Sequence, residues 1–125
     1  MIAKFRAWHK PTESIREVES IDFRRELFDL AGGEIDQESW DIVLMQATGL
    51  QDKNGVDIFE GDIIKTGETL DWLNEDIGVI RFLDGAFFID YHNLDTEFDY
   101  IGNISLPIEV VGNIYENSEL LEEQS

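Results

Sequence analysis

Apolar and polar residues alternate over short runs along most of this chain, and turn-forming residues separate the runs. A period of two is the signature of half-buried β-strands. The run "IAKFRAWH" predicts a first strand, with Phe5 and Ala7 on one side and Lys4 and Arg6 on the other, ended by Pro11 and Thr12. "ESIDFRRELFDL" carries two signals. Ile21 and Phe23 alternate as on a strand, whereas Leu27, Phe28 and Leu30 also fit a short helix; strand is the preferred reading. Gly32-Gly33 then breaks the chain. "WDIVLMQAT" is almost continuously apolar and predicts a buried strand from Ile42 to Ala47, and "DIIKT" predicts another.

"IGVIRFL" and "AFFIDY" are separated by Asp84-Gly85, a dipeptide that supplies the positive φ angles of a tight hairpin. "FDYI" reads as a further short strand, and "IEVVGNIY" as a last one after Pro107. Asn117 or Ser118 is placed to cap a terminal helix through "ELLEE". "ETLDWLNED", residues 68–76, reads as a long exposed loop or a single helical turn. Strands at this spacing predict a mainly β fold: a small barrel or sandwich of short antiparallel strands with a short C-terminal helix. The length of 125 residues predicts one domain, 1–125.

Charge changes the picture. The formal net charge is -19. Residues 1–25 hold six bases (Lys4, Arg6, Lys10, Arg16, Arg24, Arg25) against four acids, +2; the other 100 residues hold 24 acids against three bases, -21. Most of such a surface repels nucleic-acid phosphates and attracts cations or basic partners. Self-repulsion and solubility are the simpler reading of the same numbers. The chain has no cysteine, which excludes disulfides and thiolate metal sites. Lys4 and Arg6 interrupt the start, so no secretory h-region forms there, and no run has the length of a membrane span. A cytoplasmic setting is the expectation.

The stretch "MQATGLQDKNGVDIFEGDIIKTG", residues 45–67, looks built to hold an ion or a phosphate. As a calcium loop starting at Asp52 it fails at Val56, Asp57 and Ile63, where the template requires an oxygen ligand, Gly and Glu. As a phosphate loop it lacks the glycine before Lys65. A nonstandard cation site made of Asp52, Asp57, Glu60 and Asp62 stays open. Turn chemistry accounts for more of the stretch: Asn54-Gly55 suits a type I′ hairpin, and Gly61-Asp62 a second turn or bulge. The two histidines, His9 and His92, are far apart in sequence. A lone histidine is more often a surface or hydrogen-bonded residue than a ligand. No nucleophile-elbow motif is present, and two histidines give a hydrolase triad little to draw on. Asp95, Glu97 and Asp99 share one face of a strand, more simply a solvated face than a glycosidase pair. Phe82, Phe87, Phe88 and Tyr91 lack the interleaved bases of a base-stacking platform and read as core. Lys4, Arg6 and Trp8 recur at period two and form a basic, aromatic stripe. The stripe is a candidate interface for an acidic surface, a second copy included; the plainer alternative is an edge strand guarded by charge.

Several of these segments resemble the YopX-type family of small bacteriophage and prophage proteins. They are "KFRAW", the central "LMQATGLQDKNGVDIFEGDIIK", "GVIRF" with "DGAFFIDY", and the ending "IEVVGNIYENSELL". They follow the family's order over nearly the whole chain; residues 10–39 and 67–76 match poorly. The family usually carries an acid after the first Trp, where this chain has His9. The resemblance implies a mainly β, small-barrel fold and self-association, and brings neither an activity nor catalytic residues.

The resulting expectation is a non-enzymatic accessory protein acting through protein–protein contacts, with no cofactor. Its partner is a protein, basic if the acidic surface is used. Candidate interface residues are Lys4, Arg6, Trp8, Asp52, Asn54, Asp57, Glu60 and Asp62. Alternatives are a structural homo-oligomer, an acidic mimic of nucleic acid that captures a basic protein and, least favoured, a metal-dependent nucleic-acid enzyme. Charge disfavours direct nucleic-acid binding.

Overall fold

The computed structural model describes residues 4–66, 76–91, 98–100 and 108–122. His92, Asp95, Glu97 and the segment 68–75 lie outside the described residues. The chain is mainly β, with one short helix near its end. In order the strands are β1 (Phe5–His9), β2 (Ser14–Asp22), β3 (Leu27–Leu30), β4 (Glu34–Glu38), β5 (Ile42–Gln51), β6 (Asp57–Phe59), β7 (Asp62–Thr66), β8 (Asp76–Leu83), β9 (Ala86–Tyr91), β10 (Phe98–Tyr100) and β11 (Ile108–Asn113). A 3-10 turn, Ser39–Asp41, precedes β5, and α1 is Glu119–Glu122. The ambiguous segment is thus two strands, β2 and β3, and DIIKT is β7. Contacts group the chain into two compact units, Met1–Ala47 and Thr48–Ser125.

The first unit is an antiparallel sheet ordered β4-β3-β2-β1-β5, with residues 42–46 of β5 laddered on β1. Bulges interrupt the β2–β3 ladder between Val18 and Ser20 and the β3–β4 ladder between Phe28 and Leu30. Bulges bend a strand and deepen its twist. The consequence is visible in one contact. β4 lies three strands from β1, roughly 14 Å in a flat sheet, yet His9 Nε2 is 2.7 Å from Gln37 Oε1. The sheet therefore curls on itself, and its concave side buries Ala7, Leu30 and Ile42 with Val18 and Phe28 against them. Asp36, at φ 51, bends β4 further, and its N–H donates to Asp29 Oδ1 at 2.9 Å. That bond, with a second from Ser20 Oγ, holds the Asp29 carboxyl below the usual range.

The second unit contains the end of β5, β6, a five-stranded antiparallel sheet ordered β10-β9-β8-β7-β11, and α1. Ile64, Ile80 and Ile89 of that sheet bury their side chains together with Ile58 of β6, and Phe87, Ile108 and Val110 pack around them. Each buried isoleucine contributes about 1.5–3 kcal/mol, so this cluster outweighs exposed pairs such as Arg81–Asp90, worth about 0–1 kcal/mol. Ile58 faces the five-stranded sheet as in a sandwich, and among the described residues neither sheet closes into a barrel. Asp84 and Gly85 take φ of 50 and 82, which makes the β8–β9 connection the two-residue hairpin its sequence predicts.

Candidate functional site

The central block turns at Asp52–Val56. Asp52 N–H donates to Val56 O at 2.8 Å and Gly55 N–H to Asp52 O at 3.0 Å. Gly55 has φ 81, and Asn54 is not in the positive-φ region. The loop is therefore a three-residue turn closed by a left-handed glycine, not the type I′ turn expected of Asn54-Gly55. The difference comes from Asp52. Its Oδ1 accepts the N–H groups of Asn54 at 2.8 Å and Val56 at 2.9 Å, which holds Asn54 right-handed.

Asp52 has a further partner 58 residues away. Its Oδ2 accepts the Val110 N–H at 2.9 Å, and the adjacent Lys53 N–H donates to Ile108 O at 3.0 Å. β11 is the last strand of its sheet, so its outer edge would otherwise present unpaired backbone groups. The hairpin tip takes the place of the missing strand, with one carboxylate oxygen acting as a ladder carbonyl. Asp52 is only 7% exposed. Burial pushes its carboxyl pKa up, but the Val110, Val56 and Asn54 N–H bonds, helped by Lys53, outweigh burial and leave it below the usual carboxylate range.

The other acids of the block point elsewhere. Asp62 is 1% exposed, and its Oδ2 accepts the Phe59 N–H at 2.8 Å, closing the corner through Glu60 and Gly61 (φ 87). This corner carries the chain from β6 into β7, which belong to different sheets, so the block is a hairpin followed by a sheet change. Gly61 backbone groups hold the corner on both sides: its N–H donates to Ile80 O at 2.8 Å and its O accepts from Ile114 at 3.0 Å. Asp57 is half-buried and accepts from Gln51 Nε2 at 3.2 Å; Glu60 is half-buried at the corner. Exposed Asn54 donates to Glu109 Oε2 at 3.3 Å, and Glu109 also lies 3.9 Å from Lys65 Nζ. Among the described residues no three of His, Asp and Glu converge as a metal would need.

Lys4, Arg6 and Trp8 do share one face of the first unit's sheet, but β1 lies between β2 and β5 and is not an edge strand. That removes the reading of these charges as edge guards. Met45, directly opposite Arg6 on the ladder, is 1% exposed, and Arg6 and Trp8 are half-buried; Lys4 is the exposed member of the three.

A polar cluster around His9 was not legible as one. His9 ends β1, is 1% exposed, and uses both ring nitrogens. Nδ1 is 2.6 Å from Thr12 Oγ1 and Nε2 is 2.7 Å from Gln37 Oε1. Thr12 Oγ1 is 2.7 Å from Ser14 Oγ, which accepts from Arg16 Nε at 2.8 Å; Arg16 Nη1 donates to Ala31 O at 2.9 Å. His9, Thr12, Ser14 and Arg16 flank a Pro-containing turn, and that spacing alone does not mark a cluster. Gln37 enters through the curl of the sheet.

The model of the family described as YopX protein matches residues 4–122. The chain belongs to the YopX family. Two solved structures are similar to this YopX-family chain. Protein EF1440 from Enterococcus faecalis is 30% identical, with a TM-score of 0.67, over 97% of this chain and 99% of that one. Protein yopX from Bacillus subtilis is 20% identical, with a TM-score of 0.64, over 94% and 96% respectively, and shows the shared fold. No curated protein matches the chain. The expected family is thus shown, and the central block is a clasp on an edge strand.

Proposed function

We propose that this YopX-family protein is a non-catalytic accessory protein of a bacteriophage or prophage that acts in the bacterial cytoplasm by binding another protein. The observation that supports it most is the exposure of large apolar side chains in Met1–Ala47: Phe23 at 83%, Trp40 at 70% and Ile35 at 65%. Aromatic anchors of this kind carry binding energy when a partner desolvates them. Asp52 and Asp62, two of the four acids of the candidate cation set, are occupied with backbone N–H groups, which favours a protein contact over a metal-dependent reaction. The net charge of -19 favours a basic partner, whose association weakens with salt. The test is affinity capture from cells carrying the phage, with Phe23→Ala/Trp40→Ala alongside. A partner held by the wild type and released by the double variant supports the proposal. Equal capture by both, or capture indifferent to salt, counts against it.

Self-assembly is a second reading, favoured by the split between a +2 N-terminal stretch and a -21 remainder. Light scattering should then show a multimer that Lys4→Glu weakens; a monomer at high micromolar concentration removes the idea.

A further inference from the structure

We propose that Thr12 is an activated acyl acceptor: a covalent-modification site for carboxylic esters and thioesters, with His9 as its base and Gln37 as the residue that positions the base. The arrangement is built from the sequence upward. β1 delivers His9 to the last position of the strand, and the His9↔Ser14 register leaves Lys10–Glu13 as the connecting loop. Pro11 restricts this loop, and Glu13 closes it at φ 49. Thr12 thereby turns its hydroxyl back to His9 Nδ1 at 2.6 Å while the residue stays exposed. The histidine itself is 1% exposed and shielded from bulk water.

The proton positions follow from the network. Gln37 Nε2 donates to Ile35 O at 2.8 Å, which orients the amide so that Oε1 faces the imidazole. Oε1 can only accept, so His9 Nε2 carries a proton, and in the neutral imidazole Nδ1 offers its lone pair to the Thr12 hydroxyl. Ser14 Oγ accepts from Arg16 Nε at 2.8 Å and lies 2.7 Å from Thr12 Oγ1; with the Thr12 proton directed to His9, Ser14 is the donor of that pair. Thr12 therefore has a base for its proton and a hydrogen bond from Ser14 that fixes the direction of its remaining lone pair. A hydroxyl, a base within hydrogen-bond reach and a third group orienting the base are the parts of an activated nucleophile.

The step balances without a redox partner. Thr12 Oγ1 bonds to the carbonyl carbon of the donor as its proton passes to His9 Nδ1. The tetrahedral adduct collapses, the carbon–oxygen or carbon–sulfur bond to the leaving group breaks, and the proton on Nδ1 goes to the departing alkoxide or thiolate. The products are a Thr12 ester and a free alcohol or thiol.

The probe is p-nitrophenyl acetate, applied to the protein of residues 1–125. p-Nitrophenolate release is followed by absorbance, the acetyl group by intact mass and its position by peptide mapping. The expected result is a burst of one equivalent with the acetyl on Thr12. Thr12→Val, nearly isosteric at an exposed position, should lose the burst by about a hundredfold or more while staying folded by circular dichroism, with a lowered melting temperature because buried His9 Nδ1 loses its partner; Thr12→Ser, which restores the hydroxyl, should keep the burst. Gln37→Glu, which keeps an acceptor at the same place, should retain the burst; Gln37→Leu should lose it. Absence of a burst, acetylation on lysines alone, or equal bursts from wild type and Thr12→Val overturns the proposal.

Discussion

Replacing Asp52 by asparagine changes one atom that matters. The carboxylate accepts three backbone N–H groups, from Asn54 and Val56 on one oxygen and Val110 on the other. Asparagine keeps an oxygen for the first two and sets an NH₂ against the Val110 N–H, donor facing donor. A hydrogen bond to a charged group contributes about 1.5–3 kcal/mol, and a buried N–H left unpaired costs about 1–3 kcal/mol. Asn54 and Val56 lie at an exposed turn where water can replace lost strength, so the loss concentrates at Val110. We expect about 2–3 kcal/mol for Asp52→Asn, read as a lower urea midpoint for the transition that unfolds Thr48–Ser125. The effect depends on pH in a fixed direction. Because the folded-state pKa of Asp52 is depressed, its stabilisation is complete above the unfolded value of about 3.9 and is lost as pH falls through the lower folded value. The gap between wild type and Asp52→Asn should stay constant near neutrality and narrow in acid. A gap below about 0.5 kcal/mol at neutral pH, or one that persists in acid while both proteins remain folded, would show that the Asp52 carboxylate does not hold Val110.

Gly78 on β8 lies where a Cβ would come 2.6 Å from Ile89 Cγ2 and 3.1 Å from Asp90 O, so Gly78→Ala should cost about 1–3 kcal/mol by overpacking the isoleucine core, measured by thermal melting. Gly85 sits at φ 82 with open space around its Cα; Gly85→Ala should cost only the backbone strain, about 1 kcal/mol, and leave the rest of the fold unchanged by NMR fingerprint. Gln37→Leu removes the acceptor from buried His9 Nε2 and should destabilise Met1–Ala47 by about 1–3 kcal/mol, with faster amide exchange in β1 and β4.

Local chemistry made most strands legible. Alternation around Phe5 and Ala7 identified β1, and Asp84-Gly85 fixed the β8–β9 turn because only positive φ angles fit a two-residue hairpin there. β4 gave no signal: "EIDQE" has one apolar residue, Ile35, which is exposed, and a left-handed Asp36. Asn54-Gly55 misled because Asp52 competes for the turn with its own side chain. The change of sheet after Phe59 is invisible locally, since Gly61 serves a hairpin or a corner equally well. The interior position of β1 depends on β5, more than thirty residues on in sequence, and the His9–Gln37 contact on two bulges that curl a sheet. Sequence reading located the residues with unusual chemistry at the central block. The partner that ties the block to β11, the Val110 amide 58 residues from Asp52, was beyond its reach.

The most direct test of the central claim, that the family's central block is a clasp on an edge strand, is hydrogen exchange at the Val110 amide. The Asp52 carboxylate should protect it like an interior ladder amide, equally with magnesium or with chelator, and Asp52→Asn should abolish that protection. Exchange of Val110 in the wild type at the rate of an exposed edge amide would mean that Asp52 does not close the β11 edge.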